Sequence, residues 1–369
     1  MSETHSTNRV RQGFTRPLWQ RLLITRESAM IGILLIVTVT SMVTVRGFAQ
    51  PITLTHLLMD IAPILLIALP MTLIIVTGEI DLSVGSMVGL SSVTTGVLVQ
   101  AGAPFELAAA AALLVGLIGG AFNGFLVTVV GLPSLAVTIG TLALFRGLAV
   151  GLLGTTAVTT FPDTWRALAQ AKIAGTAIPY VMVPFFVLLV IFVVLLHFTP
   201  FGRGIYAVGL SKDAARFSGV SVERTKFILF MLSSLVAAFA GIYFTLRFGS
   251  ARGDNATGLE LQVIAAVLLG GVSVFGGRGR IHGVIAAVLL IGVLASSLRL
   301  ANVTSDVINI ITGALLVLSV VGGSLLSWLH RKRRRPDRSQ AVAAPAPREL
   351  QAVPSPTSVA TPSRKESEQ

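Results

Sequence analysis

The sequence predicts an all-α polytopic membrane protein of about ten transmembrane helices, with helices 2–5 and 7–10 forming an inverted repeat. Three observations carry this. Of 369 residues, 53% are hydrophobic and 12% charged, at a mean hydropathy of +0.84; an ordinary soluble domain carries about 25% charged residues. Apolar runs of spanning length recur along the chain, a span needing about 20 residues because about 30 Å of hydrocarbon is crossed at about 1.5 Å per residue. Finally, Lys and Arg concentrate in alternate connections, as positive-inside orientation requires.

Taken in order, residues 1–27 carry Arg9, Arg11, Arg16, Arg21 and Arg26 ahead of a full-length apolar stretch, and read as a retained cytoplasmic tail rather than a cleavable signal. The transmembrane domain, 28–328, holds runs at 29–45, 56–77, 84–101, 106–130, 134–154, 179–198, 227–247, 259–275, 281–300 and 306–326. The third and eighth are short and rich in Gly and Ser, so they suit broken or partly re-entrant backbone covered by protein or a watery cavity. Nine or eleven spans stay open. Residues 329–369 begin with a basic run suited to an anionic lipid leaflet and continue rich in Pro, Ala and Ser, which predicts a disordered cytoplasmic tail.

With ten spans and the N-terminus inside, 21 basic residues fall on the inner side and six outside (Arg46, Arg166, Lys172, Arg247, Arg252 and Arg299). Both termini are then cytoplasmic in the plasma (inner) membrane. The net charge of +12 therefore expresses topology and not a nucleic-acid footprint, since no aromatic-basic platform accompanies it. Helix 2 runs inward to an acidic turn, helix 7 runs outward to a polar Gly-rich turn, and each precedes three further spans, as an inverted repeat demands.

Several chemistries are absent from the sequence. Without cysteine there are no disulfides, thiolate metal sites or cysteine nucleophiles. No Gly-Lys pair occurs, so no phosphate cradle of the G-x-x-x-x-G-K-[ST] type exists and any ATP must be used by a partner. The H-E-x-x-H and G-x-S-x-G patterns are missing and five His are scattered. These absences predict a protein that is not an enzyme and holds neither a metal nor a cofactor of its own.

Three stretches carry information. In 77–86, Glu79 and Asp81 lie between two apolar runs, where a carboxylate faces a cavity or a partner or simply sits in a turn, with Asp81 or Ser83 capping the next helix. In 199–222, the longest internal connection, Lys212 to Phe217 suits a short helix ended by Gly219, with Ala214 and Ala215 on a surface open to close approach. Such a helix either passes motion from a soluble partner to the spans or is a plain linker. In 248–279, Gly-rich pieces flank helix 8 and imply tight turns or broken helices, whose free N–H groups either face a polar substrate or belong to a surface loop in which Arg252 simply pairs with Asp254. Gly116, Gly120 and Gly124 form a small-residue stripe for helix packing.

At these stretches the chain resembles the permease subunits of ATP-binding-cassette importers for monosaccharides, the group containing ribose, xylose, rhamnose and autoinducer-2 permeases. The motifs are GEIDLSVGS, where the family usually writes GGIDLSVGS, then GLPSLAVTIGTLALFRGLAV, TPFGRGIYAVGLSKDAARFSGVSV and LLGGVSVFGGRGRIHGV. IALPMTLIIVTG and FGSARGD point to the rhamnose and autoinducer-2 branch. The resemblance implies a permease dimer, homomeric or heteromeric, two cytoplasmic ATPases that bind ATP and Mg, and an outer sugar-binding protein. It implies that Gly202, Arg203, Ala214, Ala215, Arg216, Ser218 and Gly219 form the helix that docks on the ATPase. A translocation path for an uncharged polyol is expected at Glu79, Asp81, Ser83, Asn123 and Arg146, with Arg252 and Asp254 at its outer mouth, because such a cargo exchanges water for protein hydrogen bonds at little net free energy. The alternative is an ion-coupled secondary transporter using Glu79 or Asp81.

Overall fold

The computed structural model describes residues 26–304 and scattered positions from 306 to 317. Most of the tenth run, nearly all of the N-terminal tail and the whole C-terminal tail lie outside the described residues. All the named elements among them are helices: α1 (Arg26–Thr44), α2 (Pro51–Val76), α3 (Val84–Gln100), α4 (Phe105–Thr128), α5 (Ser134–Leu153), α6 (Asp163–Gln170), α7 (Met182–Phe198), α8 (Pro200–Leu210), α9 (Lys212–Phe217), α10 (Val222–Phe248), α11 (Leu259–Leu269) and α12 (Ile281–Leu300). Of these, α2, α4, α5, α10 and α12 are individually long and apolar enough to cross a membrane, and α7 with α8 forms a sixth candidate bent by 68°. The all-α polytopic expectation holds.

Burial separates the helices into a core and a lipid-facing rim. The apolar window of α2 is 89% buried, whereas that of α5 is 28% buried. Side chains such as Ile36, Val43, Ile118 and Val190 stand exposed, an arrangement that needs hydrocarbon around it. Within α2, Pro63 supplies no N–H for the carbonyl of Met59, one turn earlier. The Tyr243 hydroxyl of α10 donates to that carbonyl at 3.1 Å, so a neighbouring helix satisfies the freed backbone group. The glycine stripe of α4 packs on α10 as expected: a Cβ on Gly116 would stand 2.5 Å from the Ala238 Cβ, and one on Gly120 2.6 Å from the Phe230 carbonyl.

Two spans are broken, in opposite senses. The turn 77–83 descends from a Lys226 contact at Glu79 to a Ser233 contact at Asp81, about 10 Å deeper along α10. From there α3 continues past Ser92, bonded to Thr245, to Gly96 beside Ala251. Thus irregular backbone covers about 10 Å of the depth and the 17-residue α3 the rest. On the far side, the loop 249–258 re-enters from the end marked by Asp60, and its Ala256 carbonyl reaches the position beside Gly85. The 11-residue α11 then returns to the Glu79 end, where the Gly277 N–H donates to the Val76 carbonyl at 2.8 Å. The eighth run, read as 259–275, is therefore half a span followed by a turn, because Gly270 and Gly271 end the helix and Gly271, Gly276 and Gly277 take positive φ. This opposed pair is what an inverted repeat produces.

Replacing Gly120 by Ala should lower stability in detergent by about 1–3 kcal/mol, since a methyl group must displace α10 backbone. A melting temperature equal to wild type would contradict this close packing.

Candidate translocation and coupling site

At the Glu79 end, Gly78 adopts φ +81 and lets the chain leave α2 abruptly. Glu79 Oε1 then accepts from Lys226 Nζ at 2.6 Å and Lys212 Nζ at 3.0 Å. Its side chain is 8% exposed and that of Lys226 10%, so the pair is held away from bulk solvent and salt. Burial works to raise the Glu79 carboxyl, but Lys226, Ser134 and Lys212 together hold it below its ordinary value of 4.5. The hydrogen bond to Glu79 pushes the Lys212 ammonium up. One carboxylate therefore binds the turn after α2 to both α9 and α10.

Two residues on, Asp81 is fully buried. Its Oδ1 accepts from the Ser83 N–H at 2.9 Å and the Ser83 hydroxyl at 2.6 Å, and its Oδ2 accepts from the Ser233 hydroxyl at 3.0 Å. The Asn123 amide donates to Ser83 Oγ at 2.9 Å, leaving Asn123 Oδ1 without a partner. Placed just before α3, the carboxylate meets the positive end of that helix at membrane depth. Asp81, Ser83 and Asn123 thus lie together, but in the packed interior and not on an open wall.

Arg146, on α5, donates through Nη1 to the carbonyls of Gly253 at 2.8 Å and Asn255 at 2.6 Å. It ties the re-entrant loop to the bundle. The Glu260 carboxylate lies against Gly85 with its Oε2 buried and unpartnered, so the starts of α3 and α11 meet. Nearer the Asp60 end, Arg252 clasps Asp254 through two 2.9 Å bonds, and both line a cleft of about 470 Å³.

The connection from 199 to 221 is an elbow. Thr199 Oγ1 accepts from the Gly202 N–H at 3.2 Å and donates to the Leu195 carbonyl at 2.5 Å. Gly202 is buried against Leu196 where a side chain would not fit, which permits the sharp bend. Ala215 is 2% exposed and packs with Val208 and Val222. The expectation that Ala215 lies on an approachable surface is corrected: it is the small core of the elbow, because α9 is too short to present both alanines outward. Arg203, Ala214, Arg216, Ser218 and Gly219 are exposed, with Arg216 paired to Glu223. Sequence reasoning missed the apolar groups beside them. Phe217 is 94% exposed, Phe275 91% and Leu210 71%, and Leu210 packs on Gly277 of the turn bearing Phe275. It also missed Glu260, whose signal was an acidic residue in the first turn of a helix at membrane depth.

Half-helices with opposed starts, a rim built for lipid and an elbow carrying exposed apolar groups define a polytopic transport permease. A family model described as "Branched-chain amino acid transport system / permease component" matches residues 53–320, and the chain belongs to that family. It is 37% identical over 281 residues to the autoinducer 2 import system permease protein LsrD of Yersinia enterocolitica, covering 73% of this chain and 84% of that protein. To the LsrD protein of Photorhabdus luminescens it is 37% identical over 274 residues (73% and 82%), and to that of Klebsiella pneumoniae 37% over 273 residues (72% and 81%). No solved structure matches. The resemblance drawn from the motifs to permease subunits of sugar-type ABC importers stands. The ion-coupled alternative gains nothing: Glu79 is neutralised by two lysines, and both Asp81 oxygens are occupied by hydroxyl and amide donors.

A double-mutant cycle on Glu79→Gln and Lys226→Met should give a coupling of about 0.5–3 kcal/mol in thermal unfolding. Because the Glu79 carboxyl is lowered, its contribution is fully present above pH 4.5 and fades as pH falls through the lower folded value. A coupling near zero at pH 7, or one that appears only in acid, would contradict the pairing.

Proposed function

We propose that this chain is the membrane conduit of an ATP-driven importer for a small neutral polyol of the autoinducer-2 and monosaccharide class. The observation that carries the reading is the elbow. Phe217 on α9, and Leu210 with Phe275 where the end of α8 meets the turn after α11, are exposed apolar groups, and Glu79 grips α9 through Lys212 and α10 through Lys226. The chain's likeness to permeases named for autoinducer 2 import supports the cargo class, and the cleft at the Asp60 end, where each carboxylate is already paired with arginine, agrees with it.

In this reading the elbow faces the cytoplasm, where the basic connections lie, and inserts Phe217 into a groove on an ATPase that binds ATP and Mg. An outer binding protein delivers cargo at the Asp60 end, and a second permease subunit completes the assembly. Closure of the ATPases moves α9. Lys212 then pulls Glu79, and the short link from Glu79 to Asp81 shifts the start of α3. Among the expected path residues, Arg252 and Asp254 stand at the open mouth; Asp81, Ser83, Asn123 and Arg146 become accessible when the half-helices part.

Phe217→Glu should abolish co-purification of the ATPase and cut uptake in proteoliposomes at least about tenfold, the loss of a buried aromatic anchor being worth about 2 kcal/mol or more. Arg203→Glu should weaken both less. Wild-type uptake in the Phe217 variant would overturn the docking role of the elbow.

A further inference from the structure

The cleft at the Asp60 end has chemistry that the expected path residues do not exhaust. It opens between α2, α10 and the loop leading into α11, with walls that include Asp60, Phe244, Arg252, Asp254, Thr257 and Gln262. Each wall carboxylate is already matched: Asp60 by Arg247 at 3.2 Å and Arg299 at 2.9 Å, and Asp254 by Arg252. A cargo bearing an ammonium group would find no free carboxylate on these walls. Thr257 Oγ1 spends its proton on the Asp254 carbonyl and keeps its lone pairs, while the Gln262 amide offers both a donor and an acceptor. Pro63, Ile64 and Phe244 supply an apolar side. Neutral hydrogen-bonding groups facing an apolar wall suit a molecule with several hydroxyls and one hydrocarbon face.

The floor is the re-entrant loop. Asn255 and Ala256 line the cleft, while their carbonyls point the other way, to Arg146 and to the position beside Gly85. Ala256 holds φ +58, a conformation unusual outside glycine. One short segment thus separates the cleft from the buried start of α3.

Resting on the importer reading above, we propose that this cleft is the receiving site for a neutral polyhydroxylated cargo, with Gln262 and Thr257 as its hydrogen-bonding residues and the loop 253–258 as its floor. The absence of native cysteine gives a direct test. In full-length chain reconstituted in nanodiscs, Ala256→Cys is labelled with a thiol reagent in the presence of autoinducer-2, ribose, rhamnose or leucine. At least one polyol should slow labelling, by about threefold at twice its Kd. Leucine should not, and Gln262→Leu should remove the protection. A Ser218→Cys control on the opposite face should be unaffected throughout. The proposal is overturned if no polyol protects, if leucine protects instead, or if Gln262→Leu retains full protection. Protection with no ATP-driven uptake by the assembled wild-type importer would sink the importer reading alone and leave the site standing.

Discussion

Broken backbone at membrane depth is the constraint on which this molecule turns. An N–H or carbonyl left bare in hydrocarbon costs several kcal/mol, yet the chain interrupts two spans there. It meets the cost with polar side chains aimed inward. Asp81 accepts three bonds at the start of α3, Arg146 takes two carbonyls of the loop before α11, and Tyr243 covers the carbonyl that Pro63 frees. The glycines at 78, 270 and 271 make the breaks, and these polar groups satisfy the backbone that the breaks leave bare.

Other glycines bring backbones together. On α4 they let α10 pack backbone to backbone, and Gly241 of α10 does the same against Val88 and Ser91 of α3, the helix that follows the turn where Ser233 reaches Asp81. Beside Glu260, Gly85 leaves room for a carboxylate that belongs to the opposite half-helix. Close backbone approach and inward polar groups thus occur together, with α10 as the wall shared by α2, α3 and α4.

Much of this was legible in the sequence. Hydrophobic runs located nine of the elements because span length is set by the bilayer and not by neighbours. The short, Gly-rich third and eighth runs announced broken helices, and the elbow was visible as a polar interruption between apolar runs. Orientation of side chains was not. Ala215 looked like a surface residue because α9 is too short for periodicity to choose a face, and packing against Val208 and Val222 chose it. Asp81 and Asn123 were visible as polar groups in apolar surroundings, but their joining through Ser83 comes from residues 40 apart in sequence. Glu79, a departure from the usual glycine, offered no partner until the fold brought Lys212 and Lys226 to it from more than 130 residues away.

That last contact gives the account its sharpest point, because Glu79 lies between the elbow and Asp81. The most direct measurement is the number of cargo molecules moved per ATP hydrolysed by the assembled importer, compared between wild type and Glu79→Gln. Hydrolysis should continue in the variant while the transport ratio falls severalfold, the ATPase turning over against a loosened grip. An unchanged ratio, with the variant folded and assembled, would contradict it.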